Sequence, residues 1–225
     1  MKNINLYNNR AFLPNKLNSF RRNSLAQKMR RDLLRLIIYK PNQQKEILVL
    51  KKQIEELIDK NFKSIDELIF YNFHDVFKNF LYPQPEIILN KLNPTNESKE
   101  LINLFNKINN KSLSIYIHGS HADGYITNYS DMDVSIIIDN IDKNLDFKRI
   151  SNDILILNNL VKTVDLESHH SIFLYLNNDL NCYPESFMPI SVLRNSLTPK
   201  NQKIYFRNVR FSIDIFSAPS TSIVD

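Results

Sequence analysis

The stretch SIYIHGSHADGYITNYSDMDVSIII, Ser114 to Ile138, decides how this chain is read. A short apolar run rich in β-branched residues, Leu113 to Ile117, stands at its start, and a second, Val134 to Ile138, closes it. The residues between are small, polar and turn-forming, so the pattern predicts two buried strands joined by a loop. The first strand ends at His118. Gly119-Ser120 then offers a backbone without bulk beside a small hydroxyl, where N–H groups can approach phosphate oxygens closely. Asp131 and Asp133 enter the second strand two positions apart, and alternate residues of a strand face the same way. Two carboxylates aimed at one place repel each other unless a hard cation joins them. Mg²⁺ meets that need with oxygen ligands and also binds substrate phosphates.

Composition points to the same stretch. The chain has 225 residues, a net charge of +5 and only two glycines, Gly119 and Gly124, against 30 asparagines. Abundant Asn, Ile and Lys with scarce Gly is the mark of AT-rich coding. Glycines that survive such a bias are expected where the backbone has no alternative. With 43% apolar and 24% charged residues the chain is of ordinary globular type, which excludes collagen-like, mucin-like and wholly disordered classes. No apolar run approaches the roughly 18 residues of a membrane span, so no membrane partner is expected. The N-terminus lacks the apolar core of a signal peptide. Cys182 is the lone cysteine and can form neither an internal disulfide nor a zinc cluster, so a cytoplasmic setting is expected.

Outward from the central stretch, the N-terminal side reads as helical. Residues 1–23 are expected to form an irregular basic arm. Residues 24–40 place Leu25, Met29, Leu33, Leu36 and Ile37 at helical spacing, with Arg30, Arg31 and Arg35 among them, and Pro41 closes the helix. A second helix is predicted over 43–60 from Ile47, Leu50, Ile54 and Leu57. A third is predicted from the Ser64/Glu67 capping box through about Leu81, followed by a break at YPQP (82–85). Two more are expected over 86–92 and 96–110. Beyond the central stretch, 145–160 returns to helical spacing. Val161–Leu166 and Ser171–Leu176 read as strands, and 203–216 as a late hairpin or long strand. The expectation is an α+β chain: a helical region at 24–110, then an α/β domain at 111–216 with a small mixed sheet and helices on one side, then a tail at 217–225.

Gly119-Ser120, ten residues, then Asp131-Met132-Asp133 matches the signature of the DNA polymerase β-like nucleotidyltransferase superfamily, and the segment resembles that family and its minimal members in particular. An apolar strand on either side, Gly124 and Ser130 before the first aspartate strengthen the resemblance. It covers about 25 residues tightly and about 60 if the following carboxylate is included. The resemblance implies Mg²⁺ on Asp131 and Asp133, phosphate contacts at Gly119, Ser120 and Ser130, and a third catalytic and metal-binding carboxylate beyond one helix. Asp165, in Val164-Asp165-Leu166, is the first choice for that role, with Glu167 and Asp214 as alternatives. The implied reaction moves a nucleoside monophosphate from an NTP, ATP first among them, to a hydroxyl on a protein, a tRNA or a small molecule, releasing pyrophosphate. The alternative is a member that keeps the fold without catalysis and serves as a nucleic-acid-binding or protein-interaction module.

Charge is uneven along the chain. Residues 1–111 carry 20 Lys+Arg against 11 Asp+Glu, and residues 112–225 carry 9 against 13. Arg21, Arg22, Lys28, Arg30, Arg31 and Arg35 make residues 21–40 a candidate contact for nucleic acid, although a solvated basic helix is the plainer explanation, since no RNA-binding motif and no interleaved aromatics accompany them. His118, His121, His169 and His170 invite a metal reading. Adjacent His169 and His170 would point to opposite faces of a strand, so a contact with substrate in the cleft is the more natural role for one of the four. Cys182 reads as structural.

Overall fold

The computed structural model describes residues 15–78, 81–83, 94–139, 146–164, 172–184, 192, 195–199 and 208–210. The chain is α+β. Four helices come first: α1 (Asn15–Tyr39), α2 (Gln44–Ile58), α3 (Ile65–Ile69) and α4 (His74–Phe77). A short strand β1 (Tyr82–Pro83) and α5 (Asn96–Ile108) follow. The central unit is β2 (Leu113–His118), α6 (Ser120–Asp123), β3 (Asp133–Ile138), α7 (Phe147–Val164) and β4 (Phe173–Leu176). A 3₁₀ turn (Asn177–Asn181), β5 (Tyr183–Pro184) and β6 (Asn208–Arg210) complete the described elements. Among the described residues no helix is long and apolar enough to cross a membrane.

The central sheet has the order β2-β3-β4. β3 runs antiparallel to β2, with Leu113 opposite Ile138 and His118 opposite Asp133, and parallel to β4, with Ser135 level with Phe173. Leu197 extends the sheet at the β2 edge, exchanging N–H···O bonds of 2.7 and 2.9 Å with Ile117. One sheet face presents Leu113, Ile115 and Ile117, then Val134, Ile136 and Ile138, then Leu174 and Leu176, all in the main core. Each such side chain contributes about 1.5–3 kcal/mol on burial. Ile150, Ile154, Leu157 and Val161 of α7 and Leu101 of α5 join that core, as do Leu33, Leu34 and Ile38 of α1. The Ser151 hydroxyl donates to the Ile38 carbonyl (2.8 Å), and the Tyr39 hydroxyl donates to Ile172 O (3.2 Å), so the end of α1 is tied to α7 and to the start of β4. A second small sheet, β1-β6-β5, joins the end of the helical region to the C-terminal part.

Several expectations are corrected. α1 begins at Asn15, so part of the segment expected to be irregular is helical. Its buried stripe includes Gln27 and Arg30. Arg30 pairs with Asp179, donates to the Tyr71 carbonyl and stacks its guanidinium 4.6 Å from the Phe73 ring centre. Gln27 Nε2 also donates to Asp179, at 2.6 Å. Arg30 therefore leaves the set of solvent-facing cations, while Arg21, Arg22, Lys28 and Arg35 are exposed. The predicted helix from Ser64 is split. Ser64 accepts from Glu67 N (3.1 Å) as a cap should, but α3 stops at Ile69. The carbonyls of Phe70 and Tyr71 are taken by the Asn178 and Arg30 side chains, and Asn72 Oδ1 accepts from His74 N to start α4. Val161–Val164, expected in a strand, closes α7, because Val161 continues the buried stripe of Ile150, Ile154 and Leu157 at helical spacing. Of the predicted strand over 203–216, Asn208–Arg210 is described as strand, and the predicted helix over 86–92 lies outside the described residues.

Candidate active site

The second face of the central sheet carries the polar residues. His118 of β2 lies opposite Asp133 of β3, and the alternation that turns Met132 and Val134 into the core leaves Asp131 and Asp133 half-buried on this side. Ser135 and Tyr116 share that face, as does Phe173 of β4.

Gly119 links this face to the following loop. Its backbone has φ 71° and ψ −157°, a conformation that is essentially reserved for glycine. A Cβ placed on it would stand 2.9 Å from Asp133 Oδ2. The absent side chain is therefore what allows the backbone to lie against the carboxylate. Gly119 O accepts from Ala122 N (3.0 Å) and Asp123 N (3.2 Å), and Ser120 O accepts from Gly124 N (2.9 Å), which rolls the chain into α6. Gly124 stops that turn in the left-handed region, at φ 79°. The N–H groups of Ser120 and His121 have no partner within α6.

The loop is pinned at two places. Thr127 N donates to Ser130 Oγ (2.8 Å), and Ser130 N donates to Thr127 O (3.1 Å). The Ser130 hydroxyl is thus engaged in its own turn. His121 is buried, and its ring meets Thr95 Oγ1 (3.2 Å) on one side and the Ser130 carbonyl (3.4 Å) on the other. Its carbonyl accepts from Ser98 Oγ (2.7 Å) and Thr95 N (3.2 Å). Thr95 caps α5 by accepting from Ser98 N. One imidazole therefore fastens the start of α5 to the residue immediately before Asp131. Nothing in the sequence marked His121 for this role, because its partners arrive from a separate helix and from a loop.

His118 is buried, with Nε2 3.0 Å from Ser135 Oγ and with Nδ1 without a hydrogen-bond partner. Burial drives its pKa down to about 4, against the pull of the nearby Asp131 charge. The imidazole is neutral at physiological pH. The Leu197 bridge sets Ser196 level with His118 on this face, and the buried Ser196 hydroxyl also has no partner. Burial likewise pushes the Tyr116 phenol up to about 12.

These features bear on whether Mg²⁺ fits. Asp131 and Asp133 supply hard oxygen donors on one side of the chain, and the Gly119 backbone leaves room at Asp133. Mg²⁺ commonly takes only one or two protein carboxylates and completes its shell with water and substrate phosphate, so the donor set fits. Among the described residues no group of three or more His, Cys, Asp or Glu side chains gathers as a fuller metal cage. Asp165, Glu167, Asp214, His169 and His170 lie outside the described residues. Cys182 is fully buried, with Gln27 Nε2 3.6 Å from its sulfur.

No family model, no curated protein and no solved structure matches the chain.

Proposed function

We propose that the chain is a Mg²⁺-dependent nucleotidyltransferase of the DNA polymerase β-like kind. It would move a nucleoside monophosphate from an NTP, ATP first among them, to a hydroxyl on a protein, a tRNA or a small molecule, and release pyrophosphate. The observation that carries the reading is Gly119, held in a glycine-only conformation with its backbone against the Asp133 carboxylate. A plain turn after a strand has no need of that conformation or of that contact. The antiparallel β2–β3 pair, the intervening α6 and the α7 crossover to a parallel β4 also suit the small mixed sheet that the resemblance implies.

In this reading Asp131 and Asp133 would hold the ion, whose charge would offset that of the triphosphate and that building on the transferred phosphorus. Gly119 and Ser120 hold the β- and γ-phosphates through the N–H groups at the start of α6. Ser130 and His121 keep the Asp131 backbone in place. Asp165, or else Glu167 or Asp214, orients or deprotonates the acceptor hydroxyl. Positioning and electrostatics supply most of the acceleration, as is general for phosphoryl transfer. Incubation with α-labelled NTPs, Mg²⁺ and candidate acceptors tests this. Transfer or self-labelling that disappears in Asp131→Ala/Asp133→Ala is expected, and label transfer that survives in this variant would refute the assignment.

One observation favours a second reading, a nucleotidyltransferase-like scaffold without catalysis. Level with Ser135, β4 carries Phe173 rather than a carboxylate. Such a scaffold would use its exposed cations, Arg21, Arg22, Lys28 and Arg35, against a polyanion. It predicts no transfer to any acceptor, together with salt-sensitive RNA binding that survives loss of both aspartates.

A further inference from the structure

Among the described aromatic side chains only two are exposed, and both stand on the loop that carries the candidate site. Tyr125 is 85% exposed and Tyr129 is 90% exposed. Tyr39, Tyr71, Tyr116, Tyr175, Tyr183 and every described phenylalanine are buried or half-buried. Ile126, half exposed, lies between them in the sequence and adds apolar surface to the same loop. Two large rings held in water on one loop, where the other described aromatics are buried or half-buried, call for a ligand that covers them.

The loop that bears them is tied by its own hydrogen bonds. Besides the bonds between Thr127 and Ser130, Tyr129 N donates to Thr127 Oγ1 (3.3 Å), and Gly124 fixes the turn ahead of Tyr125. A ligand therefore meets rings whose backbone is already arranged, and less ordering cost opposes binding. Tyr129 is two residues from Asp131, so their Cα atoms lie within about 7 Å of each other. A nucleotide held by its phosphates at the aspartates would carry its base into the neighbourhood of that ring.

Charge decides between possible occupants. From Gly119 to Asp133 the chain holds three aspartates, Asp123, Asp131 and Asp133, and no Lys or Arg. Such a surface repels the bare phosphate backbone of a nucleic-acid strand, but it accepts a single nucleotide that arrives with its cation. We propose that Tyr125 and Tyr129 form a stacking platform for the nucleobase of the substrate nucleotide. The inference rests on the nucleotidyl-transfer reading and adds to it a base-binding surface.

The test compares two ligands by calorimetry: the Mg²⁺ complex of α,β-methylene-ATP, and Mg²⁺-tripolyphosphate, which has no base. Stacking of a base on an aromatic ring is worth about 5- to 150-fold in affinity per ring on alanine substitution. Tyr129→Ala and Tyr125→Ala are expected to weaken the nucleotide by such factors and to leave tripolyphosphate unchanged. Tyr129→Phe and Tyr125→Phe should retain wild-type affinity, because the ring face and not the phenol makes the contact. If wild type binds both ligands and the alanine variants match it, the platform is overturned while the phosphate site stands. Loss of oligoribonucleotide binding alone in the alanine variants, with the mononucleotide unaffected, also overturns it. If wild type binds neither ligand, the nucleotidyl-transfer reading falls and takes the platform with it.

Discussion

Replacing Gly119 by alanine tests the site at its narrowest point. The residue sits at φ 71° and ψ −157°, where a side chain costs about 1–3 kcal/mol in backbone strain alone. The added methyl would also stand 2.9 Å from Asp133 Oδ2, closer than carbon and oxygen pack, so the carboxylate must shift by a few tenths of an ångström. With about 0.5–1 kcal/mol for the contact, a total of about 3 kcal/mol follows. In a chain of this size each kcal/mol moves Tm by about 2–4 °C, so the variant should stay folded and melt about 6–12 °C lower. The two contributions separate in a double-mutant cycle. Asp133→Ala removes the atom the methyl meets, so the Gly119→Ala penalty should shrink by about 0.5–1 kcal/mol in the Asp133→Ala background while the backbone strain remains. Gly124→Ala, also at positive φ, serves as the strain-only comparison. Differential scanning calorimetry of the four proteins of the cycle gives the coupling. Strict additivity, or a Gly119→Ala protein as stable as wild type, would show that the glycine is not held against the carboxylate as described.

Three further outcomes follow from the same geometry. Arg30→Met leaves Asp179 buried without its cation and should cost about 3–5 kcal/mol in urea unfolding, whereas Arg30→Met/Asp179→Leu should recover most of that loss. The His118 pKa of about 4 lies below the 6.5 of an unfolded imidazole, so the unfolded chain takes up a proton that the native chain refuses. Stability from this group is full above pH 6.5 and falls as pH drops toward 4. Melting curves across that window should show wild type losing up to about 3 kcal/mol more than His118→Gln. His121→Ala cuts the link between Thr95 and Ser130 and should weaken binding of the Mg²⁺-nucleotide more than His121→Asn, which keeps a polar group there; equal affinities in the two variants would count against the link.

The strands were legible because LSIYI and VSIII are short, β-branched and bounded by turn formers, and the pairing of His118 with Asp133 follows once those runs align. The common side of Asp131 and Asp133 was legible for the same reason, and the buried Met132 between them agrees. The misread elements depend on distant partners. Val161–Val164 has strand-like composition, yet it is helical because Val161 completes a stripe that the core of α1 and the sheet buries. Arg30 reads as a surface cation until Asp179, far along the chain, meets it inside the protein. The split between α3 and α4 has the same origin, since the carbonyl that would continue the helix is bound by that arginine. Leu197, which sets Ser196 beside His118, sits in a stretch with no strand pattern of its own.

In the proposed function Asp131 and Asp133 together grip a divalent ion and its triphosphate beside Gly119. Electron paramagnetic resonance of Mn²⁺ titrated into the protein with and without α,β-methylene-ATP measures this without requiring an acceptor. The account predicts one protein-bound Mn²⁺ that tightens when the nucleotide is present and is absent from Asp131→Asn/Asp133→Asn. Binding that is indifferent to the two aspartates, or no bound Mn²⁺ in wild type with nucleotide present, would contradict it.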